Sequence, residues 1–330
     1  MDRPPAYRRL GPFVGVVILA AILGLLVASL PPFAPADRGS PSGIAVGPSL
    51  PVAASPLPAS AAPLPSGVVH RAWLIIMENK EDSTVLGSPD APYLNGLAAT
   101  YGLATNFFAT GHHSLLNYVA LVAGSTLGVT TDSPYNLAGP TIFSQLNDNA
   151  QPWRVFAQDD PSGCYTGVEA TGGADGPGSP GTYVRRHNPA INFSAISSDP
   201  AQCANIQPLR LFDPTAARFE LIVPNLTNDM HNGTIAQGDA FLRAFIPGIT
   251  SSPAFVPGSA LFITFDEGST NAGSFGDDGG HIATLIIAPG MPAGFRTNAY
   301  ADHLSLLRTI EDVLGLPCLA GACAREPISY

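Results

Sequence analysis

From residue 72 onward the chain alternates between two hydrophobic patterns. Short unbroken apolar runs occur at Ala72–Met77 (AWLIIM), Trp153–Ala157 (WRVFA), Phe219–Val223 (FELIV), Ala260–Phe265 (ALFITF) and Ile282–Ala288 (IATLIIA). They are rich in Ile, Val and Phe, and predict strands buried on both faces, as in a parallel sheet. Between them, apolar residues return at helical spacing: Leu115, Val119 and Val122; Phe143 and Leu146; Ala240, Phe241 and Ala244; Leu304, Leu307, Ile310 and Val313. The alternation predicts an α/β fold of three layers, a mostly parallel central sheet covered by helices on both faces. No internal repeat is visible.

The start of the chain follows neither pattern. Arg3, Arg8 and Arg9 precede an uncharged stretch, Gly11–Leu30, about 20 residues long, which reads as a secretory h-region or as a retained membrane anchor. Residues 31–66 are rich in Pro, Ala and Ser and read as an extended linker. This divides the chain into a signal peptide or anchor (1–30), a linker (31–66) and one folded domain (67–330). Either use of the first segment exports the remainder, so the expected location is extracellular, secreted or anchored to the cell membrane.

Export changes how the cysteines are read. Cys164, Cys203, Cys318 and Cys323 are even in number and lack zinc-binding spacing, so disulfides are expected. Of the three pairings, Cys164–Cys203 with Cys318–Cys323 is preferred: the first staples a Gly-rich excursion, the second closes a small loop. Composition narrows the partners further. The 330 residues are 45% apolar, enough for a full core, and the net charge is −10 with only 15 Lys+Arg, which leaves little to track a nucleic-acid backbone.

In such a sheet ligands sit beyond the carboxyl ends of the strands. Glu78-Asn79 follows the first run, Pro224-Asn225 and then Asn228-Asp229-Met230-His231 follow the third, and Asp266-Glu267 follows the fourth. These oxygen donors suit a hard divalent cation, and an added histidine would suit zinc or manganese. Ser114 stands directly before a helical pattern. That is an N-cap position, yet it is also where free N–H groups and the helix dipole would favour an alkoxide or a phosphate. Both readings stay open at this level.

Taken in order, these residues resemble a family. The bacterial phosphoesterases of the alkaline-phosphatase superfamily, among them secreted acid phosphatases, phosphatidylinositol 3-phosphatases and phospholipases C, open with a strand ending Glu-Asn. They continue with His-Pro-Ser-x-Pro-Asn-Tyr before an apolar helix. This chain has Glu78-Asn79 and His112-His113-Ser114-Leu115-Leu116-Asn117-Tyr118, with both prolines replaced. Arg186-His187-Asn188-Pro189, the Asn228–His231 segment, Asp239, Asp266-Glu267 and His303 come next in the same order.

The resemblance implies an alkaline-phosphatase-like fold and a divalent metal, of Mg, Ca, Mn or Zn type, held by Glu78, Asn79, Ser114, Asp266 and Glu267. It implies Ser114 as nucleophile, and His112, Asn117, His187, His231 and His303 as groups that bind phosphoryl oxygens or protonate the leaving group. Asp229, His231 and His281 are the candidates for a second metal. The function expected is an exported metal-dependent phosphatase acting on phosphomonoesters through a phosphoserine, with phosphoinositides among its substrates and no nucleic acid. A phospholipase C-type phosphodiesterase and a catalytically silent surface binding protein are the alternatives.

Overall fold

The computed structural model describes residues 69–173, 175, 176, 178–269 and 279–330. The expected signal or anchor and the linker lie outside these residues, and among those described no helix is long and apolar enough to cross a membrane.

Four of the five apolar runs form strands with the bounds expected: β1 (Ala72–Met77), β4 (Trp153–Ala157), β8 (Phe219–Val223) and β9 (Ala260–Phe265). They join β2 (Gly102–Ala104), β7 (Ile206–Pro208), β10 (Thr284–Ile287) and β11 (Arg296–Thr297) in one eight-stranded sheet, ordered β11-β2-β10-β9-β1-β8-β4-β7. Pairing is parallel throughout β9-β1-β8-β4-β7 and in β11-β2. The fifth run departs from expectation, since β10 is antiparallel to both β9 and β2. It is buried along its whole length like the parallel strands, and an apolar run encodes burial on two faces, not strand direction. Two small pairs, β3 (Phe107–Phe108) with β12 (Ala301–Asp302) and β5 (Glu169–Thr171) with β6 (Thr182–Val184), lie outside the main sheet.

Helices α1 (Asp82–Val85), α2 (Pro92–Thr100), α3 (Ser114–Ala123), α4 (Ile142–Asp148), α5 (Ser194–Ser197), α6 (Pro200–Cys203), α7 (Ile235–Thr250) and α8 (His303–Leu314) fill the connections. Their starts are written locally: Thr141 with Ser144 and Thr234 with Gln237 form reciprocal capping boxes on α4 and α7, and Asp302 caps α8 through Ser305 N. Asp239, one of the motif residues, is buried on α7, where its carboxylate accepts from Tyr93 N and Leu94 N and so anchors the start of α2.

Helix α3, which begins with Ser114, is held along its whole length. Every one of its residues is buried, it packs beside α8, and it ends at Gly124 in the left-handed region. A side chain at Gly124 would collide with the Leu319 carbonyl, so the glycine is required both by its φ and by the close approach of the C-terminal loop. That loop is closed by one of two disulfides, Cys318–Cys323; the other, Cys164–Cys203, staples the excursion after β4. Both pairings are those preferred from the sequence.

Candidate active site

At the carboxyl end of the sheet, three neighbouring strands deliver their oxygens to one place. Glu78 follows β1 directly and is fully buried, as are Asp266 after β9 and Asp229 in the loop after β8. The backbone locks them side by side: Glu78 N donates to Asp229 O at 2.8 Å and Asp266 N to Met77 O at 2.9 Å. Asn79 turns the chain at a φ of 52°, a conformation asparagine tolerates, and this aims its N–H at Asp266 Oδ1, 3.0 Å away. Its side-chain amide donates to Glu78 Oε2 at 3.0 Å.

Ser114 is the first residue of α3, not its N-cap. His113 holds the cap position without a capping side-chain bond, and the Ser114 hydroxyl instead donates to Glu78 Oε2 at 3.3 Å. The N-cap reading thus fails for a plain reason: the helix begins one residue earlier than the apolar periodicity indicates. The helix N-terminus is also less open than expected, because Asp132 Oδ1 accepts from Leu115 N at 3.0 Å.

The other oxygen of Glu78 faces a second group. Tyr118 donates its phenol to Oε1 at 2.6 Å, and His187 Nε2 lies 3.1 Å from the same atom without hydrogen-bond alignment. His187 Nδ1 is 3.1 Å from Asp229 Oδ2. If Nδ1 carries the proton toward that carboxylate, Nε2 presents its lone pair to Glu78, an arrangement that invites a cation between them. Ligand atoms of Glu78, His187 and His231 lie within 4.8 Å of one another, so this cluster can hold a metal ion. The Asp266 Oδ2 atom, buried and without a hydrogen-bond partner, is a further donor of the kind a cation satisfies.

The electrostatics agree with that fit. Burial, then the Asp266 and Asp229 charges, holds the Glu78 carboxyl well above its ordinary range. Burial lifts Asp266 to about 6, and burial followed by Asp266 and Asp132 lifts Glu267 to about 8. These carboxyls crowd together at a cost that positive charge would relieve. Burial, with Arg186 and His231 adding to it, keeps His187 neutral.

The remaining expected residues fall into two groups. His112 Nδ1 meets Glu267 Oε2 at 2.6 Å, with the imidazole about one-third exposed at the mouth. His231 is half-buried, with Nδ1 2.8 Å from Asn232 Oδ1 and Nε2 3.4 Å from Arg186 Nη2. Asn117, His303 and His281 are engaged elsewhere. Asn117 Oδ1 accepts from Thr110 N and Gly111 N while its amide donates to Gly111 O, so it shapes the loop that leads into Ser114. His303 bridges Phe265 O and Thr110, and burial pushes it down to about 4. His281 packs on Phe108 and meets Thr105 O, apart from the Glu78 cluster.

Sequence reasoning gave no role to Tyr118, Arg186, Lys80 or Asp132. Tyr118 was within reach, being four residues after Ser114 and so on the same helix face. Asp132 had no local signal, because its contact with α3 depends on how an irregular loop folds back.

A serine hydroxyl aimed at buried carboxylates beyond the ends of a mostly parallel sheet is the equipment of a phosphoric ester hydrolase, and comparison with known proteins places the chain in that class. It belongs to the Phosphoesterase family, whose model matches residues 72–317. It is 31% identical over 261 residues to a phosphatidylinositol-3-phosphatase of Mycobacterium tuberculosis, covering 78% of this chain and 80% of that protein. An acid phosphatase of Aspergillus fumigatus is 26% identical over 235 residues, which span 68% of this chain and only half of the fungal protein. Among solved structures, the lipoteichoic acid synthase LtaP of Listeria monocytogenes shares the fold at a TM-score of 0.52 and 12% identity, over 75% of this chain and 72% of that one.

Proposed function

We propose that this chain is an exported, metal-dependent phosphomonoesterase that works through a phosphoserine on Ser114. The observation that carries the reading is the Ser114 hydroxyl at the start of α3, donating to Glu78 Oε2. A divalent cation held by Glu78, Asn79, Asp266 and Glu267 would supply positive charge against the phosphoryl oxygens and the serine oxygen. Ser114 Oγ attacks phosphorus as its proton passes toward Glu78, the bond to the leaving oxygen breaks, and that alkoxide takes a proton. His112, paired with Glu267 at the exposed rim, is the group placed to give it. Water then cleaves the Ser114–phosphorus bond and releases phosphate. Names carried by the relatives, an acid phosphatase and a phosphatidylinositol-3-phosphatase, support phosphomonoesters and phosphoinositides as substrate classes. The two disulfides support an oxidising, extracellular location, and the apolar segment of residues 11–30 supports export.

The test is a panel of an aryl phosphate, its bis-aryl diester, a phosphoinositide and phosphatidylcholine, with the purified protein before and after chelation. The expected result is hydrolysis of the monoesters, reversible loss on chelation, and a drop of at least about a thousandfold in Ser114→Ala with the fold intact. Full activity after exhaustive chelation, or turnover by Ser114→Ala within a few-fold of the parent, would refute the reading, as would a higher kcat/KM on either diester.

A further inference from the structure

Two adjacent arginines in the turn after β6 are used in opposite ways. Arg185 is buried and spends its guanidinium on Asn192 Oδ1 and the carbonyls of Thr166, Tyr135 and Ile191. Arg186 makes a single side-chain hydrogen bond among the described residues, between Nη2 and His231 Nε2 at 3.4 Å. No carboxylate among those residues pairs with it, whereas Arg210, Arg308 and Arg325 each hold an aspartate. A guanidinium carries five donors in a planar fork, so most of its hydrogen-bonding capacity is unspent while it is half-buried at the site. Lys80 is in a similar position. Its ammonium donates to Met230 O at 2.8 Å and Asn79 O at 3.2 Å and meets no carboxylate among the described residues.

These cations sit beside acids without pairing to them. Asp229 is turned to His187 Nδ1 and to His231 N, although both positive charges bear on it and on His231. A charge kept partly out of water is stabilised by an anion in hydrogen-bond contact; among the described residues no carboxylate makes that contact with either cation, and a ligand can bring one. The position is right for a phosphoryl group. His231 Nε2, which Arg186 touches, belongs to the cluster around Glu78, whose far oxygen accepts the Ser114 hydrogen bond.

We infer that Arg186, backed by Lys80, is the anion-recognition pole of the site, binding the non-reacting oxygens of a dianionic phosphate group across from the carboxylates. This rests on the phosphomonoesterase reading and deepens it. A charged fork that takes two oxygens bidentately discriminates by charge and by oxygen count: a monoester dianion has three terminal oxygens, enough for the fork and one more partner, whereas a diester has two and carries half the charge. Arg186 is thereby a determinant of monoester preference.

The experiment uses the purified full chain with inorganic phosphate as the probe, its Kd measured calorimetrically and its inhibition constant kinetically. Arg186→Gln is expected to weaken phosphate binding and raise KM for an aryl phosphate by at least about tenfold, as loss of charge-assisted hydrogen bonds implies. Its kcat/KM on the bis-aryl diester should change far less, and its metal content and Tm should match the parent. Arg186→Lys, which keeps the charge and loses the fork, should fall between. Phosphate affinity and monoester KM within about twofold of the parent in Arg186→Gln would overturn the inference, as would equal losses on monoester and diester. If the parent hydrolyses no monoester, the proposed function fails, but the phosphate titration still decides the role of Arg186.

Discussion

Tyr118 and Asn79 hold Glu78 from opposite sides, the phenol on Oε1 and the amide on Oε2. Tyr118 also stacks on His187 with the rings 5.3 Å apart and within 5° of parallel. One side chain therefore orients two of the three residues in the histidine-bearing cluster. Burial, followed by the Glu78 charge, raises the phenol well above its ordinary range, so it stays protonated and acts only as a donor. Outer partners of this kind orient ligands, and their removal costs about 10- to 100-fold in metal affinity. Tyr118→Phe keeps the stack and deletes the donor. It should weaken divalent-ion binding by about tenfold or more in a calorimetric titration, with little change in Tm of the ion-free protein. Unaltered affinity would mean that the Tyr118 hydroxyl only fills space. Met230, between Asp229 and His231, has a φ of 80° and packs against Gly238 on α7, where a Cβ would strike its side chain. A bulky residue in that backbone region is strained, and it stands where the loop must present two site residues in succession.

The two disulfides contribute unequally to stability. Cys164–Cys203 spans 39 residues and Cys318–Cys323 only 5. On loop-closure entropy their loss should cost about 4 and about 2 kcal/mol. Urea unfolding of Cys164→Ala/Cys203→Ala and of Cys318→Ala/Cys323→Ala tests the order, and a larger loss from the short loop would contradict it on entropy alone. The short loop has another consequence for function. Gly321 N donates to Gly124 O at 2.9 Å, so the loop closed by Cys318–Cys323 rests on the end of the helix that begins with Ser114. Opening it should lower kcat more than Tm, whereas opening the longer loop should do the reverse. Parallel activity and melting measurements separate the two.

Over the whole molecule, acids are buried well beyond the site. Burial lifts Glu220, on the central strand β8, to about 8, and Glu311, on α8, also to about 8. Unfolded, both would release their protons near the ordinary value of about 4.3. Between that value and about 8 the native state binds more protons than the unfolded state, so stability is fullest below the window and falls as pH rises through it. The slope is at most about 1.4 kcal/mol per pH unit for each group. Urea midpoints of the ion-free protein should therefore drop from pH 5 to pH 8, and the drop should be smaller in Glu311→Gln. An equal drop in that variant would show that Glu311 is ionised in the native state throughout.

Apolar patterning carried far. Continuous runs of this length and composition favour strands covered on both faces, so β1, β4, β8 and β9 were legible to the residue, and the oxygens after them were legible as a group because strand ends in such a sheet converge. The cysteine pairing preferred on loop spacing matches what the fold brings together. Direction was not legible in β10, since burial is all that its sequence encodes. Nor was the division of labour among the histidines. His187 joins Glu78 and Asp229, while His303 and His281 are held by backbone carbonyls, and nothing local distinguishes them. The placements of Ser114, Tyr118, Asp132 and Arg186 depend on contacts between residues 17 to 45 positions apart, among them α3 with the end of β1 and the turn after β6 with the loop after β8. Sequence determined which segments are buried and which residue types stand at their ends, because those follow from periodicity and turn chemistry. Tertiary structure alone decided which of those side chains share a space, because hydrogen bonding and charge act over a few ångströms and only the folded chain sets those distances.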